Sequence, residues 1–284
     1  MTSEVMDDSP EHSQAQPMDI STFHPTRPTS TAGSPLRQLR RQAGLSQMQL
    51  ALRAGVSQRH LSCIETGRAR PGIATLHALL SALDAPLERC NEVFLAAGLA
   101  PRYQASPLDA PALAAVRDAM EHLLQANNPA PAIVIDGNWD VLAANSATAA
   151  LFALLGLPPS QVEGLNMLAM LFAPGGLGDY LLNAEEIRAV GWHRARQESL
   201  SNPVLAKRLA QMALPGELEP AQGVLPPLLL TRLASPQGEL TFMSTFTTFG
   251  MPQDITVESL RIEHLVPADA RTWQVMREAC SAFS

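Results

Sequence analysis

The 284-residue sequence is poor in several features that would point to other functions. Its three cysteines, Cys63, Cys90 and Cys280, are too widely spaced for a zinc site or a redox dithiol, and an odd count suits a reducing compartment. No apolar run reaches transmembrane length, and the acidic N-terminus carries no signal-peptide core. The expected location is therefore the cytoplasm, with no membrane partner. The seven histidines show no metal-ligand spacing, so no metal or cofactor is expected. There is no nucleophile elbow, phosphate loop or dinucleotide glycine fingerprint. The run GGLGDY at 175–180 follows no clear strand, and Glu185-Glu186 favours a helix start rather than acid–base chemistry. These absences argue against an enzyme. Lysine is nearly missing too: Lys207 is the only one, and arginine supplies positive charge throughout the chain.

Net charge is −7, which at first argues against nucleic acid as a partner. Its distribution reverses that. Residues 1–33 hold one arginine and five acids, a balance of −4. Residues 34–103 hold nine arginines and four acids, +5, and residues 104–284 hold ten basic and eighteen acidic residues, −8. A local basic patch matters more for DNA than the total.

That basic segment contains LSQMQLALRAGVSQRHLSCIETG at 45–67. Ser46 is a good N-cap, and Gln49 three residues later completes a capping-box pattern. The helix so opened runs to about Arg53, and Gly55 just past its end suits a left-handed backbone. Val56 plugs the gap between helices. Ser57 is the next N-cap, and a second helix runs from Gln58 to Glu65. Leu61 and Ile64 face inward together, while Gln58, Arg59 and Ser62 face out. Glutamine pairs with adenine, arginine with guanine, and serine with either kind of edge. These three are the candidate base-reading residues. Arg68 and Arg70 follow in a loop, where phosphates are the more natural partner. Cys63 reads as a small apolar filler. Upstream, Ser34-Pro35 starts a helix through Gln42, with Leu36 and Leu39 apolar and Arg37, Arg40 and Arg41 exposed. Downstream, Ile73, Leu76, Leu79, Leu80 and Leu83 form a helical stripe, and a fifth helix runs from Leu87 to Ala97 before Gly98.

The pattern LRQLRRQAGLSQMQLALRAGVSQRHLSCIETGRARPGIATLHALLSALD resembles the phage-repressor-like, XRE-type helix-turn-helix family over about residues 34–100. The resemblance implies that Gln47 and Gln58 act together on phosphate and base. Arg59 and Ser62 match further groove-facing positions, and Thr66 and Arg68 match the backbone-contacting region. With Arg40 and Arg70, they make the expected contact set to double-stranded DNA. One short helix reads few bases, so a homodimer is expected.

Residues 1–33 are rich in Ser, Thr, Pro and Asp and are expected to be a disordered acidic arm. Residues 101–111, punctuated by prolines, read as a linker. Residues 112–284 read as a second, α/β (α+β) domain with an antiparallel sheet covered by helices on one side. It opens with a helix over 112–124, then the strand Ile133–Ile135, the Asp136-Gly137-Asn138 hairpin turn, a strand from Trp139 to Ala144, and a helix capped by Asn145. Helices follow at 166–173, 185–198 and 203–214, strands at 228–233, 239–249 and 259–266, and a helix at 268–282.

This strand–turn–strand–helix opening resembles a PAS-type sensor. The residues IDGNWDVLAANSATAALF, NMLAMLFAPGG and STFTTFGMPQDITVESLRIEHLVPAD are similar to the C-terminal domain of MmyB-type transcription regulators, over about residues 108–280. The acidic-aromatic insertions and His-Pro turn found elsewhere in that group are not evident. The resemblance implies a pocket for a small apolar molecule such as a fatty acid. Trp139, Phe152, Met167, Met170, Phe172, Trp192, Phe242, Met243 and Phe246 are candidates to line it, with Leu151, Leu168 and Leu171; methionine suits a permissive apolar cavity. Arg196, with His193 and His264, is a candidate anchor for a carboxylate. Equally, such a stripe serves as plain core. Two readings of this half thus stand: a ligand sensor, or a dry scaffold for dimerisation or protein partners.

Overall fold

A computed structural model of the chain describes residues 31–159, 162–212 and 227–283. Most of the expected 1–33 arm lies outside these residues. Its last three do not behave as an arm. Ala32 is buried, Thr31 Oγ1 donates to the Ala96 carbonyl at 2.9 Å, and the first helix, α1, begins at Gly33 rather than at a Ser34 cap. A Cβ on Gly33 would overlap the carbonyls of Ile64 and Glu65, so glycine lets these two backbones meet.

Five helices build the first domain: α1 (Gly33–Gln42), α2 (Gln47–Arg53), α3 (Gln58–Glu65), α4 (Ile73–Ala82) and α5 (Leu87–Ala96). Local chemistry sets their ends. Ser46 and Gln49 close a full capping box on α2, and Ser57 Oγ accepts the His60 N–H on α3. Gly55 (φ 66°) lets Val56 N–H reach back to the Ala51 carbonyl and turn the chain into α3. One apolar core joins all five helices through Leu36, Leu50, Leu61, Leu76, Leu79 and Phe94.

Residues 101–111 are tied down on both sides. Asn91 Oδ1 accepts from the Arg102 and Tyr103 amides, and its Nδ2 donates to the Tyr103 carbonyl. Further on, Gln104 pairs with Asp254, and Asp254 also accepts the Ser106 amide.

The second domain runs through α6 (Ala114–Ala126), β1 (Ala132–Ile135), β2 (Val141–Ala144), α7 (Ser146–Leu154), α8 (Met167–Phe172), α9 (Ala184–Ser199) and α10 (Pro203–Gln211). It ends with β3 (Leu230–Ser235), β4 (Gly238–Thr248), α11 (Ile255–Ser259), β5 (Arg261–Pro267) and α12 (Ala270–Phe283). The strands form one antiparallel sheet in the order β2-β1-β5-β4-β3. Helix α11 was not foreseen; Asp254 caps it by accepting the Thr256 amide at 2.8 Å. The part of the expected 203–214 helix beyond Met212 lies outside the described residues.

Helices cover both faces of the sheet, not one as expected. Met120 and Leu124 of α6 pack on Ala132, Val134 and Ile262. On the other face, Ile133, Ile135, Leu233, Leu240 and Phe242 meet residues of α7, α8 and α12. Buried Asn145 holds the junction: its Oδ1 accepts the Ala132 and Thr148 amides, and its Nδ2 donates to the Leu124 and Ala130 carbonyls. Among the described residues, no helix is long and apolar enough to cross a membrane.

Candidate functional site

Two features stand out, one in each domain. The first is the exposed start of α3. Gln58 and Arg59 are exposed there and Ser62 is half-buried one turn on. Neither Gln58 nor Arg59 has a side-chain partner among the described residues, so both are available to a ligand. Exposed Arg41 and Arg53, at the ends of α1 and α2, add positive charge to the same domain.

The other expected DNA contacts are placed differently. Arg40 was expected to be exposed but is buried. Its Nε and Nη2 donate to the two oxygens of Glu65 at 2.6 and 2.9 Å, and Nη1 donates to the Leu45 carbonyl. The reason is geometric: Arg40 lies four residues after fully buried Leu36 and so shares its inward face. Gln47 donates to the same carboxylate at 2.8 Å. Burial alone would raise the Glu65 pKa. Hydrogen bonds from Arg40 and Gln47, with the charges of Arg40 and Arg37, outweigh it and hold the value below that of an ordinary glutamate. Thr66 Oγ1 donates to the Ser62 carbonyl and accepts from Arg68 Nε, and both side chains remain exposed. Arg70 turns back to the end of α5, where Nε donates to the Ala97 carbonyl. Arg40 thus has a structural duty in place of the freedom expected of a phosphate contact, whereas Arg70 remains exposed.

The second feature is a cavity of about 210 Å³ between the sheet and helices α7–α9. Of the candidate residues, Trp139, Leu151, Phe152, Met167, Met170, Leu171 and Phe246 line it, together with Ile133 and Val141. Its walls are otherwise mainly aliphatic, and half-exposed Val190 and Phe246 belong to its rim. Five expected lining residues, Leu168 among them, lie elsewhere. Phe172 and Trp192 meet edge-to-face, 5.9 Å between centroids, in an adjoining cluster with Leu168, Leu205 and Leu209 that also takes in Trp139 and Met167 of the cavity wall. Phe242 is fully buried in the core with Leu151, Leu240 and Met276. Met243 follows Phe242 directly on β4, so strand alternation sends it to the opposite face. Of the anchor candidates, Arg196 and His193 are exposed, and His264 faces away from the cavity, near Thr247 Oγ1 at 2.9 Å.

The cavity's charged groups are Arg194, Arg261 and Glu263, none of them foreseen. Glu198 organises them by accepting Trp139 Nε1 at 2.8 Å, Arg194 Nε at 2.9 Å and Arg261 Nη1 at 2.8 Å. The Arg194 guanidinium lies 4.1 Å from the Phe246 ring centre and that of Arg261 4.9 Å from the Trp139 ring. Trp139 is held at φ 66°, rare for a bulky residue. Ser244 Oγ donates to Glu263 at 2.5 Å, yet burial pushes the Glu263 carboxyl up, the nearby arginines opposing. A signal for this cluster exists in the sequence: Arg261, Glu263 and Leu265 alternate along β5, so two charges share one face of a central strand.

Residues 116–279 match the family described as the MmyB-like transcription regulator ligand binding domain, and residues 32–92 match a helix-turn-helix domain family. An uncharacterised HTH-type transcriptional regulator, y4dJ of Sinorhizobium fredii, is 45% identical over 51 residues. That match covers 18% of this chain and 66% of the relative, just under two thirds of its length. The restriction-modification controller protein C.AhdI from Aeromonas hydrophila is similar at 29% identity, over 22% of this chain and 94% of its own, with a TM-score of 0.21. The clp gene regulator ClgR from C. glutamicum is similar at 28% identity, over 25% and 87%, with a TM-score of 0.22.

Proposed function

The chain belongs to the MmyB-like transcription regulators, and we propose that it is a sequence-specific DNA-binding regulator controlled by a small apolar ligand, such as a fatty acid, held in its second domain. The observation that carries this reading is the pairing, in one chain, of an exposed α3 with free Gln58 and Arg59 and an aliphatic cavity with a charged cluster in its wall. In this reading Gln58, Arg59 and Ser62 read base edges in the major groove, and Gln47, Thr66 and Arg68 contact the backbone. The protein acts as a homodimer, because two half-sites double what one short helix can read. It performs no catalysis.

The cavity and the DNA-reading domain share a physical route. Arg261 and Glu263 stand in the cavity wall on β5, and α11 ends two residues before Arg261. Helix α11 docks on the first domain: Glu258 Oε2 accepts the Leu87 amide, the first of α5, at 2.9 Å. The linker joins in through Ile255 N–H to the Gln104 carbonyl and Thr256 Oγ1 to the Ser106 carbonyl, at 2.8 and 2.7 Å. A ligand that favours one setting of β5 thereby favours one setting of the DNA heads; equal affinity for both would shift nothing.

The test titrates hexanoate, octanoate and dodecanoate into the full-length protein on an operator selected from random duplexes, with fluorescence anisotropy as readout. A change in operator Kd, together with a thermal shift of the protein, is expected from at least one of them. An unchanged Kd and melting temperature across the series would favour the scaffold reading, in which the second domain serves dimerisation or a protein partner.

A further inference from the structure

The first domain's arginines divide by what holds them. Arg37 and Arg40 share the Glu65 carboxylate, and Arg89 pairs with Glu92, so their charge is answered within the protein. Arg41, Arg53 and Arg59 have no side-chain partner among the described residues; they keep their charge but are not fixed in direction. Arg68 and Arg70 are held and yet uncompensated, because a neutral oxygen takes the Nε of each: Thr66 Oγ1 at 2.9 Å and the Ala97 carbonyl at 3.2 Å. Of these two, only Arg68 is tied to α3.

The tie runs through one hydroxyl. Thr66 caps the end of α3, and its Oγ1 lies 2.7 Å from the Ser62 carbonyl and 3.3 Å from that of Cys63. A hydroxyl has a single proton to give. Neither carbonyl depends on it: Ser62 already accepts the Thr66 amide at 3.1 Å, and Cys63 accepts the Arg68 and Ala69 amides at 2.8 and 3.0 Å. Spent on the end of α3, that proton turns the oxygen lone pairs toward Arg68 Nε, and a hydroxyl that donates is polarised into a better acceptor. Thr66 then has no donor left for a phosphate, since its amide and its hydroxyl are both committed inside α3. Arg68, with Nε used, keeps both Nη groups free, and its own amide fixes its backbone to the same helix turn.

We propose that Thr66 is a positioning residue that reaches the DNA backbone only through Arg68, whose guanidinium it aims at a phosphate beside the groove that α3 enters. This deepens the DNA-reading proposal and rests on it. A phosphate contact carries no sequence information, so the pair sets affinity and orientation rather than base choice. An arginine held in place before binding loses less freedom on binding than a loose one, a difference of about two- to twelvefold in affinity for one such side chain.

A double-mutant cycle on the full-length protein tests this, with Kd read by fluorescence anisotropy on the selected operator and on a scrambled duplex. Thr66→Val keeps the side chain's shape and removes its hydroxyl; the site is exposed, so the apolar core stays intact. Alone it is expected to weaken both duplexes alike, by about two- to twelvefold, while Thr66→Ser retains wild-type affinity. Arg68→Ala is expected to weaken both duplexes and to lower the salt slope by about one. In that background Thr66→Val is expected to cost nothing more. Equal losses from Thr66→Val in both backgrounds would overturn the proposal, whether they came from a direct phosphate contact or from damage to α3. So would an undiminished affinity of Thr66→Val, or a loss confined to the operator. Any of these leaves the DNA reading standing; wild type that binds neither duplex overturns both.

Discussion

Glu65 sits at the end of the proposed recognition helix with a side chain that has no solvent exposure, while that of Arg40 is 10% exposed. Replacing Arg40 by alanine would strand this carboxylate with Gln47 and the more distant Arg37, 3.5 Å away, as its remaining partners. Removing one member of a buried pair costs about 3–5 kcal/mol, because the other charge stays buried and uncompensated. Small domains are stable by only about 5–15 kcal/mol, so a large share of the first domain's stability would go. Hydrogen exchange read by mass spectrometry resolves this without requiring the whole chain to unfold at once. Amides of α1 and α3 should exchange roughly 100- to 5,000-fold faster in Arg40→Ala, since about 1.4 kcal/mol is a factor of ten. Glu65→Ala should behave alike. The double variant Arg40→Met/Glu65→Leu should recover most of the protection, because an apolar pair carries no desolvation cost. The contrary result is an Arg40→Ala protein with native exchange that merely binds every duplex more weakly, with a shallower salt dependence. An exposed phosphate contact would do that.

The same pair sets an acid limit. The Glu65 pKa is depressed in the folded state, so its contribution is complete above the ordinary glutamate value of about 4.3 and is lost as pH falls from there through the folded value; the first domain should melt earlier below pH 4.3, and Arg40→Met/Glu65→Leu should not show that component. Arg59→Ala should cost about 1–3 kcal/mol on the selected operator and relax base choice; unchanged discrimination against scrambled sites in anisotropy competition would remove Arg59 from base reading. Glu258→Gln keeps an acceptor for the Leu87 amide and should preserve the octanoate effect on operator Kd, whereas Glu258→Ala should weaken it; equal effects in both would move the signal away from α11. Asn145→Ala removes four buried side-chain hydrogen bonds at the junction of α6, β1 and α7, though each backbone group keeps a second partner, and should lower second-domain stability by about 1–3 kcal/mol, measured by urea denaturation.

The first domain's helices are legible in sequence because local groups decide their ends. Ser46, Ser57 and the positive-φ glycines Gly55 and Gly67 fix α2 and α3 to the residue. What local chemistry does not carry is which charged residue turns inward. Arg40 and Glu65 each lie four residues after a fully buried leucine, Leu36 and Leu61, so helical spacing marks both as inward-facing. Reading arginine as a surface residue hid this. In the second domain the strands were legible but their register was not. Phe242 and Met243 cannot share a face, and Arg261 with Glu263 reaches the cavity only because β5 pairs with β1 in one register. Phe172 and Trp192 lie on α8 and α9, which send apolar residues both into the cavity and into the adjoining cluster, a division that composition alone cannot make.

The account's central claim is that α3 reads DNA. The direct measurement is selection of full-length wild type and a Gln58→Ala/Arg59→Ala variant against a random duplex library, followed by sequencing. The account predicts that wild type enriches a two-fold motif with half-sites about 10 base pairs apart, and that the variant, with an unchanged melting temperature, loses that enrichment while keeping weak general binding. No enriched motif for wild type, or the same motif for a folded variant, would contradict it.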